Sequence, residues 1–233
     1  MRKKIQFVNK LTIGLAILVT STAFQVSAME RFTEAEIQAS PYLQSVLKRK
    51  GETYDTSEFR KDGPYRIALA AQGTSNSWSA LFDEHANWYA EQLGSGVIEE
   101  LLYADAQASA DKQVPQVEDL LAQEPDALIL VPMGAAALAA PVERAMAQGV
   151  PVILCASAVE TDNFVTEVGT NLYASGAGLA EYLAKRLNGK GKVLMMTGIP
   201  GVSTSDIMEA GGKATFKKYP GIVILRDTLI LKL

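Results

Sequence analysis

Uninterrupted apolar runs alternate with amphipathic stretches along most of the chain beyond residue 64. Leu128-Ile129-Leu130-Val131 and Val152-Ile153-Leu154 carry no polar residue, the pattern of parallel strands covered on both faces. Strands are predicted over 66–71, 97–103, 127–131, 150–155 and 164–168, and helices over 77–93, 110–123 and about 141–148. In the first helix Trp78, Phe82, His85 and Tyr89 recur at helical spacing, with Leu81 and Trp88 beside them, so this face is expected to be the apolar one. In the second, Val114, Val117, Leu120 and Leu121 make the stripe. Gly149 stops the third helix, and Val150-Pro151-Val152 opens the next strand. Strand and helix in regular turn, joined by right-handed crossovers, predict an α/β fold with an open, doubly wound, mostly parallel sheet. Ligands of such sheets lie outside the carboxyl ends of the strands, near the point where the strand order reverses. The polar turn 72–77 follows one of those ends.

The same alternation continues with a helix over about 173–187, a turn Asn188-Gly189-Lys190-Gly191 and a strand over 192–197. A glycine-bearing loop then leads to a helix over about 205–218, and Tyr219-Pro220-Gly221 breaks it before a strand at 222–225. Two strands and two helices make a thin second unit. The expected organisation is a first α/β lobe over 64–170 and a partial second lobe over 171–233.

The start of the chain is of a different kind. Arg2, Lys3 and Lys4 precede an apolar run, and Val26-Ser27-Ala28 supplies a small-residue cleavage pattern. Residues 1–28 are therefore read as a secretory signal peptide, cleaved near Ala28, and the mature chain as periplasmic. The run is shorter than the roughly 20 apolar residues of a spanning helix. Residues 29–63 read as a helical leader, with a capping box at Thr33 to Glu36 and a proline-started helix from Ser40 to Gly51. Removing Arg2, Lys3, Lys4 and Lys10 from the 22 basic residues leaves 18 against 26 acidic ones, a net charge of −8. That balance argues against a nucleic-acid partner. Cys155 is the single cysteine, so an exported chain of this sequence has no internal disulfide and must rely on its core.

No catalytic constellation is found. The one histidine, His85, falls on the apolar stripe, where a core or half-buried role is expected, and Cys155 ends a strand as a small hydrophobe. One histidine and one cysteine, far apart, suggest no metal site, and no cofactor is implied. Gly198-Ile199-Pro200-Gly201 lacks the ending of a Walker loop, and Gly176-Ala177-Gly178 sits inside a helix, so both read as packing or turn glycines. What remains is a binding geometry. Gln72, Thr74, Ser75, Asn76 and Ser77 present amides and hydroxyls at a helix start, and Trp78 offers a flat apolar face, a set that suits a polyol. The alternative is that Asn76 or Ser77 only caps the helix and Trp78 is core.

In its order of motifs the chain resembles the periplasmic sugar-binding proteins of ABC transporters, the ribose- and galactose-binding type. The resemblance runs from Tyr65 to about Thr228. It is carried by Arg66-Ile67-Ala68-Leu69 with the turn through Asn76 and Trp78, by Asp105-Ala106-Gln107, and by Val117-Glu118-Asp119-Leu120. Val131-Pro132, Gln148-Gly149-Val150-Pro151-Val152-Ile153, Thr170-Asn171 and Tyr219-Pro220-Gly221-Ile222 complete it. The resemblance implies a type I periplasmic-binding-protein-like fold, with a ligand clamped between two lobes that close by hinge motion. It implies a monomer that captures a carbohydrate and hands it to an ABC permease of the inner membrane. It places Gln72, Asn76 and Trp78 on the sugar-contacting turn and Asn171 at the crossover. Ala156-Ser157 stands where such proteins usually carry an Asp-Arg pair, and Asp206 lies near the position of an expected arginine, so Ser157 and Asp206 are candidate ligand-binding residues of an altered site, open to a less polar or differently charged ligand than a standard pentose or hexose. Relatives of this type continue past residue 233, which leads to the expectation of a C-terminally truncated member with an incomplete second lobe. A ligand-sensing module and a non-functional fragment are the other readings, and a small α/β hydrolase is disfavoured because acid, base and nucleophile are missing.

Overall fold

The computed structural model of the protein describes residues 54–196, 198–199 and 201–226. The expectations for the export segment 1–28 and for the leader helix at 40–51 lie outside these residues. A short helical turn, Ser57–Phe59, precedes the first strand. The elements that follow are β1 (Tyr65–Ala71), α1 (Ser77–Leu93), β2 (Ile98–Asp105), α2 (Ala110–Leu121), β3 (Ala127–Leu130), α3 (Ala139–Ala147), β4 (Val152–Cys155) and β5 (Thr166–Val168). After these come α4 (Leu172–Arg186), β6 (Lys190–Leu194), α5 (Ser203–Phe216) and β7 (Gly221–Arg226).

Five strands form one all-parallel sheet in the order β2-β1-β3-β4-β5. β2 and β3 lie on opposite sides of β1, so the winding reverses between β1 and β3. The predicted doubly wound α/β sheet is present, and its switch point lies beside the turn 72–77. β6 and β7 form a separate parallel pair.

The continuous apolar runs are buried as parallel strands require. Ala68 and Ala70 of β1, Leu128 and Leu130 of β3, and Val152 and Leu154 of β4 share a core with Val117, Leu120 and Leu121 of α2. Val142, Ala145 and Met146 of α3 close it. Each fully buried leucine or valine contributes about 1.5–3 kcal/mol of transfer free energy before ordering costs.

The helix α1 corrects its predicted face. Its buried residues are Ser79 and Asp83, whereas Trp78, Leu81, Trp88, Tyr89 and Leu93 are all exposed, as is His85. The aromatic stripe that periodicity marks as core lies on the outer side, where Trp78 stacks on Phe82 with centroids 5.5 Å apart. The reason is local chemistry. The Ser79 hydroxyl donates to the Asn76 carbonyl at 3.2 Å, and Asp83 accepts from the Tyr103 hydroxyl of β2. These short polar side chains let the helix lie against β2, and the bulky ones are left outside.

The helices α4 and α5 pack through glycine. A methyl group at Gly176 would overlap the Met208 carbonyl, and one at Gly211 would overlap the Tyr173 carbonyl. Gly176 is thus the packing glycine that the sequence implies, while Gly178 faces open space. Ala180, Ala184, Val193, Phe216 and Ile222 form the small core of the β6–β7 pair. Leu194, Val223 and Leu225 of these strands remain exposed.

Candidate functional site

The carboxyl edge of the five-stranded sheet concentrates strained backbone. Gln107, Ala108 and Ala156 hold φ of 50°, 58° and 63° in the loops after β2 and β4, a left-handed conformation that side chains resist. Gly73, with φ 116°, sits in the turn after β1, and a Cβ there would lie 2.8 Å from Asp105 Oδ1 and 2.9 Å from Gln107 Cα. This position needs glycine for both its conformation and its close neighbour. Strain of this kind gathers where a fold builds a site rather than a core.

Hydrogen bonds tie these loops to one another. The Ala108 amide donates to the Gln72 carbonyl at 2.8 Å, and the Gln107 amide donates to Asp105 Oδ1 at 2.6 Å. Beneath them Gln113 of α2 is fully buried at the switch point. Its Nε2 donates to the Val131 carbonyl at 2.9 Å and, more distantly, to those of Ala70 and Ala71, while its Oε1 accepts from the Met133 amide at 2.8 Å. One side chain thereby joins the ends of β1 and β3. Sequence reading passes over it, although a glutamine four residues before Val117, on the buried stripe of α2, is the available signal.

The six residues singled out from the sequence fall around this edge in different states. Gln72, half-buried, follows β1 directly. Asn76 caps α1, its Oδ1 accepting from the Ser79 amide at 3.0 Å, and is exposed. Trp78, in the first turn of α1, is 49 % exposed, so the reading of this residue as core does not hold. Ser157 follows β4 and is buried, its amide bonded to the Cys155 carbonyl at 2.7 Å. Asn171, exposed, caps α4 by accepting from the Ala174 amide at 2.9 Å. Asp206 is exposed in the first turn of α5. Gln72 and Ser157 thus share the carboxyl edge of one sheet, while Asn171 and Asp206 belong to the helix starts beyond it.

The head of α5 reaches that same edge. The Ala135 amide donates to the Gly201 carbonyl at 3.1 Å, and the Ala158 amide donates to Ser203 Oγ at 2.8 Å. Val202, between them, is buried with Ala106, Met133 and Ala110.

Titratable chemistry at the edge is sparse. Burial, and secondarily the charge of Glu167, pushes the Cys155 thiol up, so it stays protonated and unreactive near neutral pH. Among the described residues no group of three or more His, Cys, Asp or Glu side chains is arranged to hold a metal ion. A separate groove of about 480 Å³ lies between α4, α5 and β6, lined by Leu179, Leu183, Val193, Met195, Met208 and Phe216 among others. Its lining is mostly apolar, with Thr204, Ser205 and Glu209 as its polar side chains.

An open sheet wound in both directions, with polar, strained loops at its carboxyl edge, defines an α/β protein of the doubly wound class. Residues 67–229 match the family model for the periplasmic binding protein domain. The chain belongs to the periplasmic binding protein family. It is 34% identical over 141 residues to the ribose import binding protein RbsB of Bacillus subtilis, covering 60% of this chain and 45% of that protein. It is 33% identical over 130 residues to a xylitol-binding protein of Mycolicibacterium smegmatis, covering 55% and 37%. The chain therefore spans less than half the length of these two curated relatives. Among solved structures, the fructose-binding periplasmic domain of a hybrid two-component system superposes with a TM-score of 0.65 at 26% identity, covering 71% of this chain and 53% of that one. A Caulobacter myo-inositol binding protein gives a TM-score of 0.65 at 22% identity, over 73% and 56%, a likeness of fold alone. These are type I periplasmic-binding-protein folds, and the chain shares their parallel sheet with alternating helices.

Proposed function

We propose that this chain is exported to the periplasm and captures a sugar or polyol at the carboxyl edge of its five-stranded sheet, for delivery to an ABC permease of the inner membrane. The observation that carries the reading is the polar turn 72–77 beside the β1–β3 switch point, on the sheet edge that the head of α5 also reaches. Relatives named for ribose and for xylitol support a polyhydroxylated ligand. In this reading residues 64–170 form one wall, residues 171–233 contribute to the other, and the monomer works by binding without chemistry.

The roles follow from what each side chain has left to offer. Asn76 and Asn171 spend their amide oxygens on helix caps, which leaves their NH2 groups as donors for hydroxyl oxygens. The exposed face of Trp78 stacks on the C–H face of a sugar ring. Gln72 and Asp206 supply further polar contacts, and the buried Ser157 limits depth more than it grips. Without the paired Asp and Arg of the ribose and galactose binders, the ligand is held mainly by neutral hydrogen bonds, each worth about 0.5–1.5 kcal/mol against about 1.5–3 for charged ones, with Asp206 the one charged partner among the named residues. A second reading, a ligand-sensing module, is favoured by the likeness to the fructose-binding domain of a two-component system.

The full chain, melted with D-ribose, xylitol, D-fructose and myo-inositol in turn, tests the proposal. A sugar at about 100 times its Kd stabilises the native state by about 2.7 kcal/mol and raises Tm accordingly. Trp78→Ala is expected to abolish that shift while leaving the sugar-free Tm within about 0.5 kcal/mol of the parent. A Tm unmoved by all four sugars rejects the sugar reading, and a shift that survives Trp78→Ala rejects the role of the turn.

A further inference from the structure

The extensively packed pairs of elements lie either among β1–β5 with α1–α3 or among α4, α5, β6 and β7, with none spanning the two sets. Among the described residues, a short run at the head of α5 does cross between them. The Gly201 carbonyl accepts from the Ala135 amide at 3.1 Å, Ser203 Oγ accepts from the Ala158 amide at 2.8 Å, and Val202, 6% exposed, is buried against Ala106, Met133 and Ala110.

The seat for Val202 is assembled from several parts of the carboxyl edge. Ala106 follows β2, Met133 and Ala135 follow β3, and Ala158 follows β4. It is also held from below, because Gln113 Oε1 fixes the Met133 amide at 2.8 Å. A Cβ at Gly134 would lie 3.1 Å from the Ala110 methyl, so the loop beside the seat is packed tightly against α2. Valine suits the position, since a β-branched side chain has little rotamer freedom to lose when it is seated. The Ser203 hydroxyl accepts from the Ala158 amide, a part-buried backbone donor that needs a partner.

We propose that Val202 and Ser203 are positioning residues that latch the β6–β7 unit onto the carboxyl edge of the five-stranded sheet and so set the gap into which a ligand must fit. The proposal rests on the reading above that the ligand lies at that edge. The latch itself needs no bridging molecule, because the valine side chain fills the seat. Opening it exposes Val202, Met133 and Ala106 to water and frees two amide donors together. A closed arrangement that the protein favours on its own spares the ligand the cost of closure, since the apparent Kd equals the intrinsic Kd divided by the fraction of competent molecules. Weakening the latch therefore weakens sugar binding without removing any proposed ligand contact. If the closed fraction falls from nearly all to about one-tenth, the apparent Kd rises about tenfold.

The test uses the full chain with Cys155→Ser and with cysteines placed at the exposed positions Glu91 and Lys217 for spin labels. Pulsed electron resonance reads the distance between them in this parent, in Ser203→Ala and in Val202→Asp, with D-ribose and xylitol as probes and circular dichroism as the check on folding. Ser203→Ala removes only one half-buried hydroxyl bond, so it reports even where Val202→Asp fails to fold. The expected result is one narrow distance in the parent before any sugar, and a longer, broader distribution in the variants. Saturating sugar narrows that distribution again, with sugar affinity reduced about tenfold. A parent that is broad until ribose or xylitol is added overturns the latch and leaves the sugar reading standing. Distances equally narrow in parent and variants also overturn the latch. The expected distances together with no response to either sugar uphold the latch and sink the sugar reading.

Discussion

The Tyr103 hydroxyl donates to Asp83 Oδ2 at 2.7 Å, while the other oxygen of that carboxylate is buried with no hydrogen-bond partner. The pair joins α1 to β2 in place of the apolar packing that the periodicity of α1 predicts. Burial pushes the Asp83 carboxyl above its ordinary 3.8; the Tyr103 bond pulls it back, and Asp105 adds a smaller upward push. Burial also raises the Tyr103 hydroxyl, which stays protonated and remains the donor.

The sign of the resulting pH dependence follows. A carboxyl raised in the folded state binds its proton more tightly there than in the unfolded chain. Its contribution to stability is complete below pH 3.8 and is lost as pH rises through the folded value. Asp83→Asn removes the charge at nearly constant shape. It is expected to stabilise the chain at pH 7, where the raised carboxyl carries a charge that burial disfavours. The advantage over the parent should shrink as pH falls toward 3.8. Thermal melts of both chains between these limits check it, and a variant that melts below the parent at pH 7 contradicts it.

Asp126 shows the opposite sign. Burial resists its ionisation, but bonds from Lys61 Nζ at 2.7 Å and the Arg66 amide at 2.8 Å, with the charges of both residues, hold its carboxyl below 3.8. The stability it contributes is present above pH 3.8 and is lost as pH falls through the lower folded value. Asp126→Ala is expected to cost about 1–3 kcal/mol at pH 7, chiefly through the unpaired Arg66 amide, since the exposed Lys61 partner contributes little. Urea unfolding at pH 7 and at pH 3 should show the gap closing in acid.

Two glycines of α4 separate packing from propensity. Gly176→Ala would press a methyl group into the Met208 carbonyl and force α4 and α5 apart, at a cost of about 1–3 kcal/mol. Gly178→Ala meets nothing and should stabilise the helix by up to about 1 kcal/mol. Denaturant midpoints of the two variants are expected to move in opposite directions. Equal midpoints would mean that the two helices are not in contact at Gly176.

Gln113→Leu tests the stitch beneath the crevice. The variant leaves the Met133 amide and the carbonyl of Val131 without their side-chain partner, costing about 1–3 kcal/mol for each group left unpaired. Hydrogen exchange at the Met133 amide should accelerate more than the global loss of stability explains. Exchange that tracks global unfolding alone would show that the stitch does not hold the loop.

Much of the fold is legible in the chain because β1, β3 and β4 have one face buried and the other at least half-buried, so their residues are apolar throughout. The span of α1 is likewise marked by Asn76 at its start and Gly94 at its end. Which face of α1 turns inward is not legible, since that depends on Tyr103, a residue twenty positions away on β2. The candidate site divides in the same way. The capping roles of Asn76 and Asn171 follow from their place before a helix, whereas the burial of Ser157 and the exposure of Trp78 depend on what the tertiary fold lays beside them.

The sequence by itself determines the order of strands and helices and the polar turn at 72–77, because each is fixed by local periodicity, capping or backbone conformation. Only the tertiary structure decides that β1 and β3 adjoin at the switch point, that Gln113 joins their ends, and that Val202 seats on Ala106 and Met133. These contacts join residues from different elements, and no local pattern records a partner that the chain meets only after it has folded.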